Sequence, residues 1–110
     1  MTELSQQACR PIASSESSLD AQSIADFIKK LDNSWQYNKD LNNISRKYSF
    51  NNYYETMAFV NAVVFIIHQQ DHHPEFLIGY NYCLISFATH SINGLSINDF
   101  ICASKINDIK

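Results

Sequence analysis

Apolar residues first recur at helical spacing at Ile24, Phe27, Ile28 and Leu31, the i, i+3, i+4, i+7 pattern of one helix stripe. Asp20 stands just before them as an N-cap, so a helix is expected over roughly residues 20–31, broken by Asn33 and Ser34. The period then changes. Trp35 to Tyr37 reads as a short strand, and Ile44 to Phe50 as a second one. In the latter, Ile44, Arg46, Tyr48 and Phe50 fall on one face and Ser45, Lys47 and Ser49 on the other. The stretch Asn38-Lys39-Asp40-Leu41-Asn42-Asn43 between them is turn-like, which makes the pair a hairpin.

Asn52, followed three residues later by Glu55, has the spacing of a capping box at the head of a long helical run. That helix should continue to about Gln70 or Asp71, because Pro74 disfavours helix at the residue before it. Phe76–Asn81 and Tyr82–Thr89 form a second strand pair, in which Cys83, Ile85 and Phe87 alternate with Leu84, Ser86 and Ala88. After a loop over residues 90–94, Ser96 and Asp99 again show N-cap and N3 spacing. They open a last helix with Phe100, Ala103 and Ile106 along one face. The order αββαββα predicts an α+β fold: a four-stranded antiparallel sheet with helices packed on one face. Residues 1–18, polar and Ser-rich with Pro11 as a breaker, are expected as a flexible N-terminal arm, and residues 19–110 as a single domain.

Composition narrows the function classes. The 110 residues are 45% hydrophobic and 17% charged, enough for one real core and too few for a second domain. Two glycines and two prolines leave no Gly-rich phosphate cradle. A net charge of −3 gives no basic face for nucleic acid. The apolar run Met57–Ile67 is interrupted by Asn61 and is too short to cross a bilayer, so no membrane is expected as a partner. The first residues lack the cationic start and apolar core of a secretory signal. Cys9, Cys83 and Cys102 are odd in number and widely spaced, which fits reduced thiols in a cytoplasm rather than a disulfide framework.

The chemistry concentrates in the histidines. All four lie between residues 68 and 90, and three fall within His68-Gln-Gln-Asp71-His72-His73. Three readings follow. His68 and His72 have i, i+4 zinc-ligand spacing, with Asp71 or His90 as a third ligand, but the glutamate of a zinc-protease helix and any nearby Cys are missing. Exposed histidines at a helix C-terminus would gain only about 0.3–1 kcal/mol from the helix dipole. The third reading is a metal-free acid–base site, since imidazole exchanges protons near neutrality. A strand pair returning antiparallel could bring His90 close to His72 and His73.

The segment His68-x3-His72-His73-Pro74-Glu75, then Tyr80, Thr89-His90 and Gly94-Leu95-Ser96-x2-Asp99, resembles the signature of the pterin-4a-carbinolamine dehydratases. Trp35, Arg46, Phe50, the stretch from Ala58 to Val63 and the Cys9-x-Pro11 lead-in resemble further positions of that family. The resemblance implies dehydration of 4a-hydroxytetrahydropterin to quinonoid dihydropterin by general acid–base catalysis, with neither metal nor cofactor. It implies His72 and His90 as the acid–base pair and His73 as the residue that holds and orients the pterin. His68, Asp71, Pro74, Asp99 and Trp35 would complete the substrate site, with Asp71 and Asp99 hydrogen-bonding to the site or to its histidines and so setting their tautomers. For two of these a plainer role stands alongside: Asp99 is what a capping box places at N3, and a lone Trp is commonly a core anchor. His68 departs from the Glu that many members carry there. The resemblance further implies a homodimer or homotetramer and a functional link to phenylalanine hydroxylase. It also offers an alternative function, a non-catalytic dimerisation cofactor or coactivator-like module.

Overall fold

The computed structural model describes residues 3–109. Helix α1 spans Ala21–Lys30, and its N-cap Asp20 accepts a hydrogen bond from the Ser23 N–H at 2.8 Å. Strands β1 (Gln36–Asn38) and β2 (Asn43–Ser49) form the first hairpin, with Gln36 opposite Ser45. Helix α2 covers Tyr53–Gln70; Asn52 caps it by accepting from the Glu55 N–H. The Glu55 carboxylate turns to the Asn51 N–H rather than to that of the N-cap, so the expected box is only half formed.

Strands β3 (Glu75–Ile78) and β4 (Tyr82–Phe87) make the second hairpin, and α3 runs over Ile97–Asn107. The strand β3 stops earlier than expected because Gly79 already turns, its N–H donating to the Tyr82 carbonyl at 2.9 Å. A Cβ there would overlap the Tyr82 ring, which would have to move to admit any other residue. Two short 3₁₀ turns, Leu4–Gln6 and His90–Ile92, have no counterpart in the sequence pattern.

The hairpins join through β2 and β4, giving an antiparallel sheet in the order β1-β2-β4-β3. The pairing sets Ile44 opposite Phe87 and Tyr48 opposite Cys83, and all four are at most 2% exposed. Phe59, Val60, Val63 and Ile67 of α2 and Phe100, Ala103 and Ile106 of α3 complete that buried layer. The alternate β4 residues Tyr82, Leu84 and Ser86 stay half-buried. This is the α+β arrangement expected from the order of elements, with the helices on one face of the sheet.

At its C-terminal end α3 is fastened to the sheet by one amide oxygen. Asn107 Oδ1 accepts from Trp35 Nε1 (2.8 Å), Arg46 Nη1 (2.9 Å) and Tyr48 Oη (3.1 Å). The Arg46 guanidinium lies 4.2 Å over the Tyr48 ring, and burial pushes the Tyr48 phenol up to about 12. Of the residues ahead of α1, Leu4 is buried, the Ser5 carbonyl accepts from Lys105 Nζ (2.8 Å), and the Leu19 N–H donates to the Leu95 carbonyl (2.9 Å). No helix among the described residues is long and apolar enough to cross a membrane.

Candidate active site

The end of α2 decides where the histidines go. Asp71, its C-cap, takes the left-handed conformation (φ 52°, ψ 42°), and the His72 N–H still reaches back to the Ile67 carbonyl at 3.3 Å. Aspartate tolerates this conformation better than most residues because its short polar side chain bonds locally. The reversal separates two neighbours: His72 is largely buried and His73 is exposed. Pro74, buried, then starts the chain into β3. 

His72 lies nearly parallel to the Phe87 ring, with centroids 5.9 Å apart. Its Nε2 is 2.6 Å from Asp99 Oδ1, and that carboxylate is wholly buried. A buried carboxylate must have its lone pairs occupied. The other oxygen, Oδ2, accepts from Thr89 Oγ1 (2.9 Å) and from the Ser96 N–H (3.0 Å), while Thr89 and Ser96 share a hydroxyl–hydroxyl contact of 2.7 Å. The capping box of α3 and the histidine contact therefore use different oxygens of one side chain. Burial works against a charged His72, but the hydrogen bond and charge of Asp99, helped by nearby Cys9 and Asp71, outweigh it. The net effect raises the imidazole above its ordinary value.

At this end of β4 opens a recess of about 260 Å³, lined by Leu41, Asn43, His73, Glu75, Ser86, Phe87, Ala88 and His90. Pairing of Glu75 with Ser86 across β3 and β4 sets its floor. His90 reaches it as the first residue of the 3₁₀ turn that follows Thr89. Two histidines thus share one small recess, and a third, outside its lining, packs against Phe87 with a buried carboxylate partner. A larger groove, about 700 Å³, runs past Leu4, Phe27 and Asn107 and contains no histidine.

The remaining expected site residues are placed less centrally. Asp71 is exposed at the helix cap, and His68 is exposed in the last turn of α2, outside the recess lining. Trp35 is a core residue, 3% exposed, outside the recess lining and 6.1 Å from Phe87 between ring centroids. Leu41, Asn43, Glu75 and Ser86 line the recess without having been singled out in the sequence. Of these, only Glu75 carried a signal, as a carboxylate directly after the His-His-Pro run. Among the described residues, no group of three or more His, Cys, Asp or Glu is arranged to hold a metal ion.

Fold and site together define a small α+β protein with a histidine-lined recess beside a buried His–Asp pair. The family model for pterin 4 alpha carbinolamine dehydratase matches residues 17–109. A protein of Nitrosomonas eutropha is 46% identical over 105 residues, covering 96% of this chain and 91% of its own length. One of Legionella pneumophila strain Corby is 42% identical over 108 residues, covering 98% and 96%. Both bear the name "Putative pterin-4-alpha-carbinolamine dehydratase". The chain belongs to the pterin-4a-carbinolamine dehydratase family. In three dimensions it is similar to a crystal structure of a transcriptional coactivator/pterin dehydratase from Brucella melitensis, with a TM-score of 0.79 and 29% identity over 84% of this chain and 97% of that one. A pterin dehydratase-like protein described as a RuBisCO assembly factor in the alpha-carboxysome shares the fold, with a TM-score of 0.59 and 18% identity over 69% of this chain and 88% of that one.

Proposed function

We propose that this protein dehydrates 4a-hydroxytetrahydropterin to quinonoid dihydropterin, returning the spent cofactor of aromatic amino acid hydroxylases toward its reduced form. The observation that carries the reading is the convergence of His73 and His90 on one recess, with the His72–Asp99 pair packed against Phe87. In the substrate, the N5 lone pair pushes toward C4a, and the C4a–oxygen bond breaks as an acid protonates the departing hydroxyl. Water leaves, and a base takes the N5 proton. The substrate supplies the electrons, so imidazoles suffice, each contributing about 10²–10⁴-fold.

His90 and His72 act as the acid–base pair, and His73 orients the ring. With Nε2 of His72 held by Asp99, Nδ1 is the nitrogen left to exchange a proton. The polar rim of Asn43, Glu75 and Ser86 offers hydrogen-bond partners to the amide and amine edge of a pterin. Asp71 and Pro74 shape the turn that presents the histidines, Trp35 backs Phe87, and His68 stands at the outer edge. Cytoplasmic conditions suit the three free thiols. 

Self-association into a dimer or tetramer is part of the same reading. Its support is apolar surface left bare: Tyr54 (85%) and Phe65 (66%) on α2, and Leu77 (57%) on the edge strand β3. The non-catalytic interaction role has the same surface in its favour. Turnover separates the two. Protein pretreated with a strong chelator should accelerate formation of quinonoid dihydropterin from fresh 4a-hydroxytetrahydropterin, and its His72→Ala/His90→Ala variant should not. No acceleration by the parent protein would refute the proposal; restoration by added zinc would point to a metal site instead.

A further inference from the structure

Behind the His72–Asp99 pair two sulfurs meet that the proposed dehydration does not use. Cys9 Sγ and Cys102 Sγ are 3.5 Å apart, although 93 positions separate them in sequence. Cys102 lies wholly buried on α3, one turn after Asp99, and its thiol approaches the His72 carbonyl at 3.9 Å. Cys9 is half-buried, on the chain that crosses the ends of α2 and α3. The crossing is held in register around it. The Cys9 N–H donates to Gln70 Oε1 (2.8 Å), the Arg10 N–H to Asn98 Oδ1 (3.1 Å), and Asn98 Nδ2 to the Arg10 carbonyl (2.7 Å). The sulfurs are therefore presented to each other by backbone contacts on both sides, not by a chance meeting of mobile side chains.

We propose that Cys9 and Cys102 are a redox modification site, closing to a reversible disulfide when the protein meets a hydroperoxide. The sulfurs need about 1.5 Å of further approach to reach bonding distance, and Cys9 sits on an irregular segment that can supply it. The asymmetry of the pair assigns the roles. Contact with the Cys102 sulfur chiefly lowers the Cys9 thiol below its ordinary value; burial opposes this, and His72 and Lys105 assist. Contact with Cys9 and burial push Cys102 strongly upward, so it remains the protonated partner.

The Cys9 thiolate attacks the terminal oxygen of the peroxide, an S–O bond forms and the O–O bond breaks. Sulfur loses two electrons to oxygen, and hydroxide (or alkoxide) leaves. The Cys102 sulfur then displaces hydroxide from the Cys9 sulfenic acid, and its proton completes a water molecule. Thiol–disulfide exchange with a reducing thiol reverses the bond. Cys83, buried in the sheet and pushed up to about 11 by that burial, stays outside this chemistry. 

The test is to treat the reduced full chain with hydrogen peroxide, block free thiols, and map the peptides without reduction. The expected product links Cys9 to Cys102 within one chain and leaves Cys83 alkylated. Tying residue 9 to residue 102 closes most of the chain into a loop and should raise Tm by on the order of 10 °C. Dithiothreitol should reverse both changes, and Cys9→Ser, at the half-buried position, should abolish both. Sulfinic acid at Cys9 without a cross-link, or a bond joining two chains, would overturn the proposal.

Discussion

Helix α3 ends in two polar networks of similar build and opposite character. At its N-terminal end the Asp99 carboxylate gathers His72, Thr89 and the Ser96 N–H; at its C-terminal end the Asn107 amide oxygen gathers Trp35, Arg46 and Tyr48. Each ties α3 to the sheet. Only the first contains a group that changes charge near neutrality. The Asn107 network has a neutral acceptor, a guanidinium, and a phenol pushed up to about 12. Only the Asp99 network backs onto a recess with further histidines. Connectivity alone thus does not mark a site; a titratable member next to an opening does.

Replacing Asp99 by Ala should give the largest effect. It strips the buried partner from His72 and removes the N3 half of the α3 capping box, costing about 3–5 kcal/mol of stability in a urea titration. The gentler Asp99→Asn keeps an acceptor for the Ser96 N–H and removes the charge opposite His72. It should lower dehydration about 10²-fold or more while the protein stays folded. Asn107→Ala supplies the contrast. Three donors lose their acceptor, so about 2–3 kcal/mol of stability should go, with turnover per folded molecule unchanged. Equal loss of turnover in both variants would erase the distinction between the networks.

His73→Ala and His90→Ala sharpen it from the recess side. Both residues are exposed, so the urea midpoint should hold within about 0.5 kcal/mol while turnover falls about 10²-fold. A smaller effect comes with pH. His72 is raised in the folded protein, so between its unfolded and folded values the native state binds more protons. Its contribution is fully present below about pH 6.5 and is lost as pH rises through the folded value. Urea midpoints measured upward from pH 6 should therefore decline, and His72→Gln should flatten that decline. His68→Glu is the mildest change, expected only to move the acid limb of the pH–rate profile upward; an unmoved limb would remove His68 from the account.

Much of this arrangement was legible in the chain. The stripe of Ile24, Phe27, Ile28 and Leu31, the Ser96–Asp99 spacing and the alternation of Cys83, Ile85 and Phe87 are local patterns, and each appears where expected. The histidine cluster was visible because it is contiguous. The joining of the hairpins through β2 and β4 was not, since pairing across such separations depends on the whole core rather than on a neighbouring turn. The same holds for the contact of Cys9 with Cys102, whereas a hydrogen bond from Asp99 to the site or its histidines was already implied by the family resemblance. Leu41 and Asn43 were invisible for a different reason: they read as turn residues, and only folding brings that turn over the end of β4. The Asn107 network went unread because Trp35 and Tyr48 look like ordinary core aromatics until one acceptor is seen to serve both.

The account rests on proton transfer at the Asp99 end of α3. The most direct measurement is the rate of quinonoid dihydropterin formation from 4a-hydroxytetrahydropterin by chelator-treated protein, wild type beside Asp99→Asn. The account predicts clear acceleration over the spontaneous reaction by the wild type and a loss of about 10²-fold or more in the variant. Equal rates from the two proteins, or none above the spontaneous reaction, would contradict it.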